Sequence, residues 1–235
     1  MNSALARIPF LRLLRAPRAW MTIALWGAVA LVPAAMARSA ATGHGADHAL
    51  LGMYSVISLP FLASAVLSGV LGRDGLGRSG LVFANFGASP ARVALFSVIV
   101  AILASSLVGG GLGAVVDALA HGPLDPPLAH DLPRAFSGGA LGGAAYAAFF
   151  AYGASFGARG FGRSLFLILD WIFGAGTSTS SVFTPRAHVR ALLGGAAPLD
   201  VSSRASYAVL AVMVIAFTLL ATRRASRARW VPNRA

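Results

Sequence analysis

The sequence predicts an all-α membrane protein with six transmembrane helices and with both chain ends on the cytoplasmic side. Hydrophobic residues make up 57% of the 235 positions and charged residues only 11%, and the mean hydropathy is +0.75. This composition is too apolar for an ordinary soluble domain. The basic charge is carried entirely by arginine, without a single lysine, and the arginines gather at alternating ends of the apolar stretches.

A helix needs about 20 apolar residues to cross the hydrocarbon core of a bilayer. Six stretches meet this requirement, and almost nothing remains for a soluble domain. They are residues 19–36, 49–71, 93–116, 136–156, 164–183 and 205–222.

The arginine distribution predicts the orientation, because cytoplasmic loops of membrane proteins are enriched in arginine. With the N-terminus inside, the cytoplasmic arginines are Arg7, Arg12, Arg15, Arg18, Arg73, Arg78, Arg92, Arg159, Arg163, Arg223, Arg224, Arg227, Arg229 and Arg234. The opposite side receives Arg38, Arg134, Arg186, Arg190 and Arg204. We therefore expect a multi-pass protein of the bacterial cytoplasmic (inner) membrane. The net charge of +12 then reflects topology and does not indicate nucleic-acid binding.

The N-terminal residues 1–18 mix apolar side chains with arginines and contain two prolines. They are predicted to form an amphipathic elbow in the cytoplasmic interface, with arginines toward lipid phosphates, or a plain basic anchor. The segment that follows also resembles a signal peptide ending at Ala35-Met36-Ala37. The length of its apolar run favours an uncleaved first span.

Two residues within the spans are candidates for a translocation path. Pro60 removes a backbone hydrogen bond from the second span, so we expect a kink that serves either as a hinge or as a static bend. Asp170 is an ionisable residue inside the fifth span and should face protein or water instead of lipid. A functional role and a structural hydrogen bond both remain open for Asp170.

Glycines concentrate at the end of the third span and throughout the fourth. Glycines spaced four apart let helix backbones approach closely in a membrane. We expect helix packing at Gly138, Gly139, Gly142, Gly143, Gly153 and Gly157.

Three segments outside the spans complete the prediction. Residues 72–92 form a charged, glycine-rich cytoplasmic loop, and residues 223–235 form a basic cytoplasmic tail. Residues 184–204 contain a short external helix, with Thr184 as N-cap, Pro185 in the first turn and Gly194 after its end. Its Val189, Leu192 and Leu193 are expected to rest on the membrane surface.

Most chemical motifs are missing from the chain. Without lysine there is no phosphate-binding loop of the usual kind, so no ATP site is expected. Gly77-Arg78-Ser79-Gly80 matches the short GxSG string of rhomboid proteases, but no histidine lies in any predicted span to serve as its base. His44 and His48 have a metal-ligand spacing if helical, and surface histidines are the preferred interpretation.

Taken together, the basic elbow, the six spans, the loop carrying Ala88-Ser89-Pro90-Ala91-Arg92, the external helix and the basic tail resemble the membrane subunit of an ABC exporter of the ABC-2 permease type (type V exporter-like). The resemblance implies that residues 1–235 form a single permease domain. It also implies pairing with a second permease subunit and with a cytosolic ATPase, which would bind ATP and Mg²⁺. The ATPase would dock on the loop after span two, at Arg73, Asp74, Arg78 and Arg92, and Pro60 and Asp170 would line the pathway.

The leading hypothesis is therefore a transport permease without catalytic residues, moving lipid-like or amphipathic cargo. Two alternatives come from other classes, a rhomboid-like intramembrane protease at Ser79 and a non-transporting membrane assembly subunit.

Overall fold

The computed structural model describes residues 2–39, 45–72, 74–79, 87–122, 125–157 and 160–227. Within these ranges the chain is helical and contains no strand. The α-helices are α1 (Asn2–Leu14), α2 (Pro17–Ser39), α3 (Gly45–Ala49), α4 (Leu59–Leu71), α5 (Pro90–Ala120), α6 (Leu128–Ala154), α7 (Gly162–Phe173), α8 (Pro185–Leu192) and α9 (Ser203–Ser226). A π-helix, Leu50–Ser58, joins α3 to α4, and the 3₁₀-helices Thr179–Phe183 and Pro198–Asp200 flank α8.

Four helices of the described chain are long and apolar enough to cross a membrane. They are Pro17–Arg38, Gly45–Ser79, Pro90–Ala120 and Ser203–Ser226, and they contain the predicted first, second, third and sixth spans. The chain therefore has the architecture of a multi-pass membrane protein. The basic elbow forms α1, a separate helix that ends before the turn at Arg15 and Ala16.

Helix α6 lies at the centre of the bundle and covers the predicted fourth span. Its 27 residues rise about 40 Å, and it packs against α4, α5, α7, α8 and α9. Residues 142–151 are all buried, and the two residues before them, 140 and 141, are half-buried. A surface that faces protein on all sides does not need large apolar residues, and this explains why alanine and glycine dominate α6.

Close contact between α5 and α6 depends on glycines. A Cβ atom added to Gly139 would lie 2.7 Å from the carbonyl oxygen of Gly109 and against the Tyr54 hydroxyl, and one added to Gly143 would meet the carbonyl of Ser105. The Tyr54 hydroxyl donates a hydrogen bond of 2.6 Å to the Gly109 carbonyl oxygen. The π-helical segment thus inserts its buried tyrosine where two backbones meet.

The second span is irregular upstream of the predicted position. Pro60 is buried in the first turn of α4, where a missing N–H is tolerated. The deviation lies in the preceding π-helix, at Gly52, whose φ of −83° and ψ of −107° are not helical. The irregular backbone therefore lies about two turns before Pro60 and not at it, in a π-helix, which is a rare form often found at functional positions.

The predicted fifth span, residues 164–183, is not one continuous helix. Helix α7 has 12 residues and rises about 18 Å, less than the roughly 30 Å of a bilayer core. Glycines and hydroxyl residues follow it, from Gly174 to Ser181, and these favour turns over helix. The number of apolar residues in 164–183 did not reveal this break in the helix.

Charge separates the two ends of the bundle. Arg12, Arg15, Arg18 and Asp74 line one cavity, and we call this the basic end. Asp47, Asp117, Asp131 and Arg134 line another at the opposite end of the helices, which we call the acidic end. The grouping agrees with the two sets of loops expected from the sequence.

Candidate functional site: the break between α7 and α8

Helices α7 and α8 stack end to end along α6. Gly162 at the start of α7 contacts Gly153, and the rings of Phe166 and Phe149 lie 4.8 Å apart. Farther along α6, a Cβ added to Gly142 would lie 2.7 Å from Val189 of α8, and one added to Gly138 would lie 3.1 Å from Leu193. The 12 residues of α7 and 8 of α8 together rise about 30 Å, the thickness of a bilayer core.

The segment between α7 and α8, residues 174–184, turns away from the common axis of the two helices and then returns to it. Its Thr177 carbonyl accepts a hydrogen bond of 3.1 Å from the backbone of Leu199, which lies in the acidic-end loop before α9. The 3₁₀-helix Thr179–Phe183 brings the chain back to Thr184, whose hydroxyl lies beside Gly174. Residues 175–180 are all exposed. The chain therefore makes a re-entrant excursion rich in serine and threonine.

Asp170 holds the break together. Its side chain is fully buried, and its Oδ2 accepts a hydrogen bond of 2.9 Å from the Tyr146 hydroxyl. Its Oδ1 accepts a bond of 3.2 Å from the backbone N–H of Arg186, in the first turn of α8. Carboxylates are favoured at helix N-termini because the first N–H groups of a helix lack partners. Asp170 thus caps a helix to which it does not belong.

This arrangement corrects the predicted cap. Thr184 occupies the N-cap position, but its side chain makes no capping bond and its hydroxyl donates to the Ser181 carbonyl at 2.9 Å. Capping from a neighbouring helix leaves no signature in the local sequence, because the acid and the capped N–H are 16 residues apart.

Helix α8 also lies deeper than expected. Val189, Leu192 and Leu193 are at most 2% exposed, so they pack inside the bundle instead of resting on a membrane surface. Their partners are Gly138 and Gly142 of α6. The small residues of α6 form a groove in which α8 packs. The sequence predicted that these glycines pack against a helix, but it did not identify α8 as the partner.

His188 of α8 was not predicted as a site residue and is 1% exposed. Its Nε2 lies 3.0 Å from the Val182 carbonyl oxygen, and its Nδ1 lies 3.3 Å from Ser206 Oγ. A carbonyl oxygen can only accept, so Nε2 donates to it, and in the neutral imidazole Nδ1 then accepts from the serine hydroxyl. His188 therefore connects α8, the re-entrant segment and α9.

Of the two path candidates, only Asp170 belongs to this site. Pro60 lies on α4, and the contact between α4 and α7 is made by neighbours, since the rings of Phe61 and Trp171 lie 6.0 Å apart. The second and fifth predicted spans are adjacent, as a shared pathway would require.

The predicted docking residues lie at the basic end. Asp74 and Arg92 are exposed and Arg78 is half-buried, while Arg73 lies outside the described residues. The start of the loop is not loose, because a Cβ on Gly75 would lie 2.8 Å from the Gly157 carbonyl and 3.1 Å from the Ala154 carbonyl.

Gly157 itself has a φ of +77° and open space around its Cβ position, so it forms a turn and does not pack against a helix as expected. Gly153, by contrast, contacts Gly162 and Phe166 of α7. The two glycines differ because α6 ends at Ala154, and only the helical one can face a neighbouring helix.

The remaining motif candidates are Ser79, His44 and His48. Ser79 is buried and its hydroxyl donates to the Leu76 carbonyl at 2.9 Å. His48 is exposed, and His44 lies outside the described residues. Across the part of the chain that the structure describes, no three His, Cys, Asp or Glu side chains are grouped to hold a metal ion.

Comparison with known proteins gives no further assignment. No protein-family profile matches the chain, and neither the curated proteins nor the solved structures contain a significant match.

Proposed function

We propose that the chain is the membrane-spanning permease subunit of an ATP-binding-cassette exporter of the ABC-2 type. In this proposal it crosses the bacterial cytoplasmic membrane six times, with the basic end and both termini in the cytoplasm. Helices α2, α5, α6 and α9 and the π-helix together with α4 supply five crossings, and the stacked pair α7 and α8 supplies the fifth in chain order. The cargo is lipid-like or amphipathic.

The break between the stacked helices α7 and α8 is the observation that supports the proposal best. Irregular backbone at membrane depth is tolerated only where it is buried in protein or lines a water-filled cavity. The exposed residues 175–180 begin at the level of Asp170, beside the middle of the buried part of α6, and reach the acidic end. Broken helices of this kind form substrate pathways in many transporters. Water or a second permease subunit would cover the segment.

Energy would come from another polypeptide, because the chain has no lysine for a phosphate-binding loop. The basic end offers a mechanical connection to the break. Residues 74–79 pack on the turn between α6 and α7, since a Cβ added to Gly160 would lie 3.3 Å from the Gly75 Cα. Arg163 at the start of α7 donates a hydrogen bond of 2.9 Å to Ser68 of α4.

Movement of the cytoplasmic loop would therefore be transmitted to α7, whose far end carries Asp170. A change between two arrangements of the break would need a ligand or nucleotide state that binds one of them better. Closure of the partner ATPases, with ATP and Mg²⁺ bound, would supply that bias.

Co-purification with an ATPase tests the proposal. The affinity-tagged chain is expressed in its native host, extracted in mild detergent and analysed for a co-eluting ATPase that has a phosphate-binding lysine. We expect this ATPase with the wild type and with Arg204→Glu, a variant at the acidic end. The double variant Arg78→Glu/Arg92→Glu at the basic end should lose it.

Two results would count against the proposal. A wild-type complex without any ATPase removes the energy source that the proposal requires. Retention of the ATPase by the Arg78→Glu/Arg92→Glu variant, at the level of Arg204→Glu, removes the docking surface. A retained complex whose ATP hydrolysis does not respond to lipid-like compounds would indicate a non-transporting assembly subunit.

A further inference from the structure

A cavity of about 710 Å³ opens at the basic end between α1, the start of α2 and the end of α4. Its rim carries Arg12, Arg15 and Arg18, and its wall includes Phe61 and Ala65. The volume lies within the range of small-molecule sites. The transport proposal does not use this cavity.

The rim is held in place by close packing of the elbow on α4. A Cβ added to Gly69 would lie 2.7 Å from Leu13 Cδ1 and 2.9 Å from Ala19 Cβ. Leu13 is 4% and Ala19 is 6% exposed, so residues on both sides of the turn at Arg15 and Ala16 are buried. The turn, with its arginines, is therefore fixed over the end of α4.

The rim is positively charged and open to a ligand. Arg15 and Arg18 are exposed, and in the described part of the chain neither guanidinium forms a salt bridge or a hydrogen bond. Three arginines and one carboxylate, Asp74, line the cavity, which gives it a net charge of about +2. Arginine is the residue best suited to bind phosphate oxygens.

The wall is mostly apolar, with Thr22, Ser64 and Ser68 among its lining residues, and runs along α4 away from the basic end. Phe61 lies ten residues before the end of α4 at Leu71, a distance of about 15 Å along the helix. Its ring stacks on Trp26 of α2 with centroids 4.2 Å apart. A free phosphate ion would use only the rim, whereas a lipid would use the rim for its headgroup and the wall for an acyl chain.

We propose that this groove is a selective site for one anionic glycerophospholipid, with the phosphate at Arg15 and Arg18 and an acyl chain along Ala65 and Phe61. The site would favour an anionic over a zwitterionic lipid. Each arginine near an anionic membrane surface contributes about 1 kcal/mol, roughly a five-fold effect on affinity. Loss of both should therefore reduce the preference by an order of magnitude or more.

Tryptophan quenching measures this preference at the groove itself. In the variant Trp20→Phe/Trp171→Phe/Trp230→Phe, Trp26 is the remaining fluorophore, and it lies beside Phe61. The protein is reconstituted in phosphatidylcholine vesicles containing increasing fractions of phosphatidylglycerol with a dibrominated acyl chain. Parallel vesicles contain dibrominated phosphatidylcholine. We expect the brominated anionic lipid to quench Trp26 at a fraction about ten-fold or more below that of the zwitterionic lipid.

Matched variants in the same background separate the groove from general basicity. Arg15→Gln/Arg18→Gln should abolish the difference between the two brominated lipids, while Arg15→Lys/Arg18→Lys should retain most of it. Arg223→Gln/Arg227→Gln, which removes two charges from the same end, should leave it unchanged. Glycerol 3-phosphate in solution should not reverse the quenching.

Equal quenching by the two lipids in the parent protein would overturn the proposal, as would an equal loss in the Arg223→Gln/Arg227→Gln variant. Reversal by glycerol 3-phosphate would identify a soluble phosphate ligand instead of a lipid. Transport need not be measured, so failure here leaves the proposed function untouched.

Discussion

Replacement of Asp170 by alanine should loosen the contact between α7 and α8. The carboxylate is fully buried and accepts one hydrogen bond from the Tyr146 hydroxyl and one from the Arg186 backbone N–H, at 2.9 Å and 3.2 Å. Alanine removes both acceptors and leaves two donors without a partner inside the bundle. The asparagine variant keeps one oxygen for the N–H and an amide group that can bond the tyrosine oxygen, so it serves as the control.

The magnitude follows from the two orphaned donors. A buried polar group left without a hydrogen bond costs about 1–3 kcal/mol, so Asp170→Ala should reduce the free energy of unfolding by roughly 2–6 kcal/mol. Tyr146→Phe leaves one carboxylate oxygen unpaired and should cost about 1–3 kcal/mol. The double variant has already lost the shared bond, so it should be less destabilised than the sum of the singles by at least about 1 kcal/mol.

Unfolding of the purified protein in detergent, followed by intrinsic fluorescence over a denaturant series, gives the four free energies of this cycle. Asp170→Asn should lie closer to the wild type than Asp170→Ala does. The reasoning is refuted if Asp170→Ala unfolds within 0.5 kcal/mol of the wild type, a difference typical of ordinary surface changes. It is also refuted if the two single changes are strictly additive, because the coupling is then absent.

The remaining predictions concern packing elsewhere in the bundle and use the same unfolding assay. Gly139→Ala should cost about 1–3 kcal/mol through overpacking, because its Cβ would press on the Gly109 carbonyl and the Tyr54 hydroxyl; Gly111→Ala, which meets open space, should be close to neutral, and equal effects would contradict the packing. Tyr54→Phe should cost about 0.5–1.5 kcal/mol by removing the 2.6 Å bond from the hydroxyl to the Gly109 carbonyl, which keeps its bond within α5, and a neutral result would show that the tyrosine bond adds no net stability. His188→Ala should be clearly more destabilising than His48→Ala, since the first is 1% exposed with two bonded ring nitrogens and the second is exposed; similar melting curves for the two would contradict the assigned role of His188.

Hydropathy predicted the long apolar helices because the length of an apolar run is a property of the local chain. Apolar runs of about 20 residues located α2, the π-helix with α4, α5 and α9, and the glycine spacing pointed to the faces of α6. The short helix after the fifth predicted span was also located, as Pro185–Leu192, from its proline and its terminal glycines, although its external position was wrong. These features require no knowledge of what lies opposite them.

The break between α7 and α8 could not be predicted from the local sequence. Residues 164–183 have the apolar length of a crossing, and only the contacts of α7 and α8 with α6 show that α8 continues the line of α7. The depth of Val189 and the role of Asp170 as a cap depend on a groove formed by Gly138 and Gly142 of another helix. Such non-local partners leave no periodic signal, so the sequence identified Asp170 as unusual without identifying its partners.

Site-directed labelling tests the central claim most directly, because the chain contains no cysteine and each introduced cysteine is a unique reporter. Ser178 lies in the exposed segment between α7 and α8, and Ser226 lies exposed at the end of α9. A membrane-impermeant maleimide added to intact cells should label Ser178→Cys and leave Ser226→Cys unmodified until the membrane is permeabilised. Labelling of Ser226→Cys from outside, with Ser178→Cys protected, would contradict both the orientation and the external opening of the break.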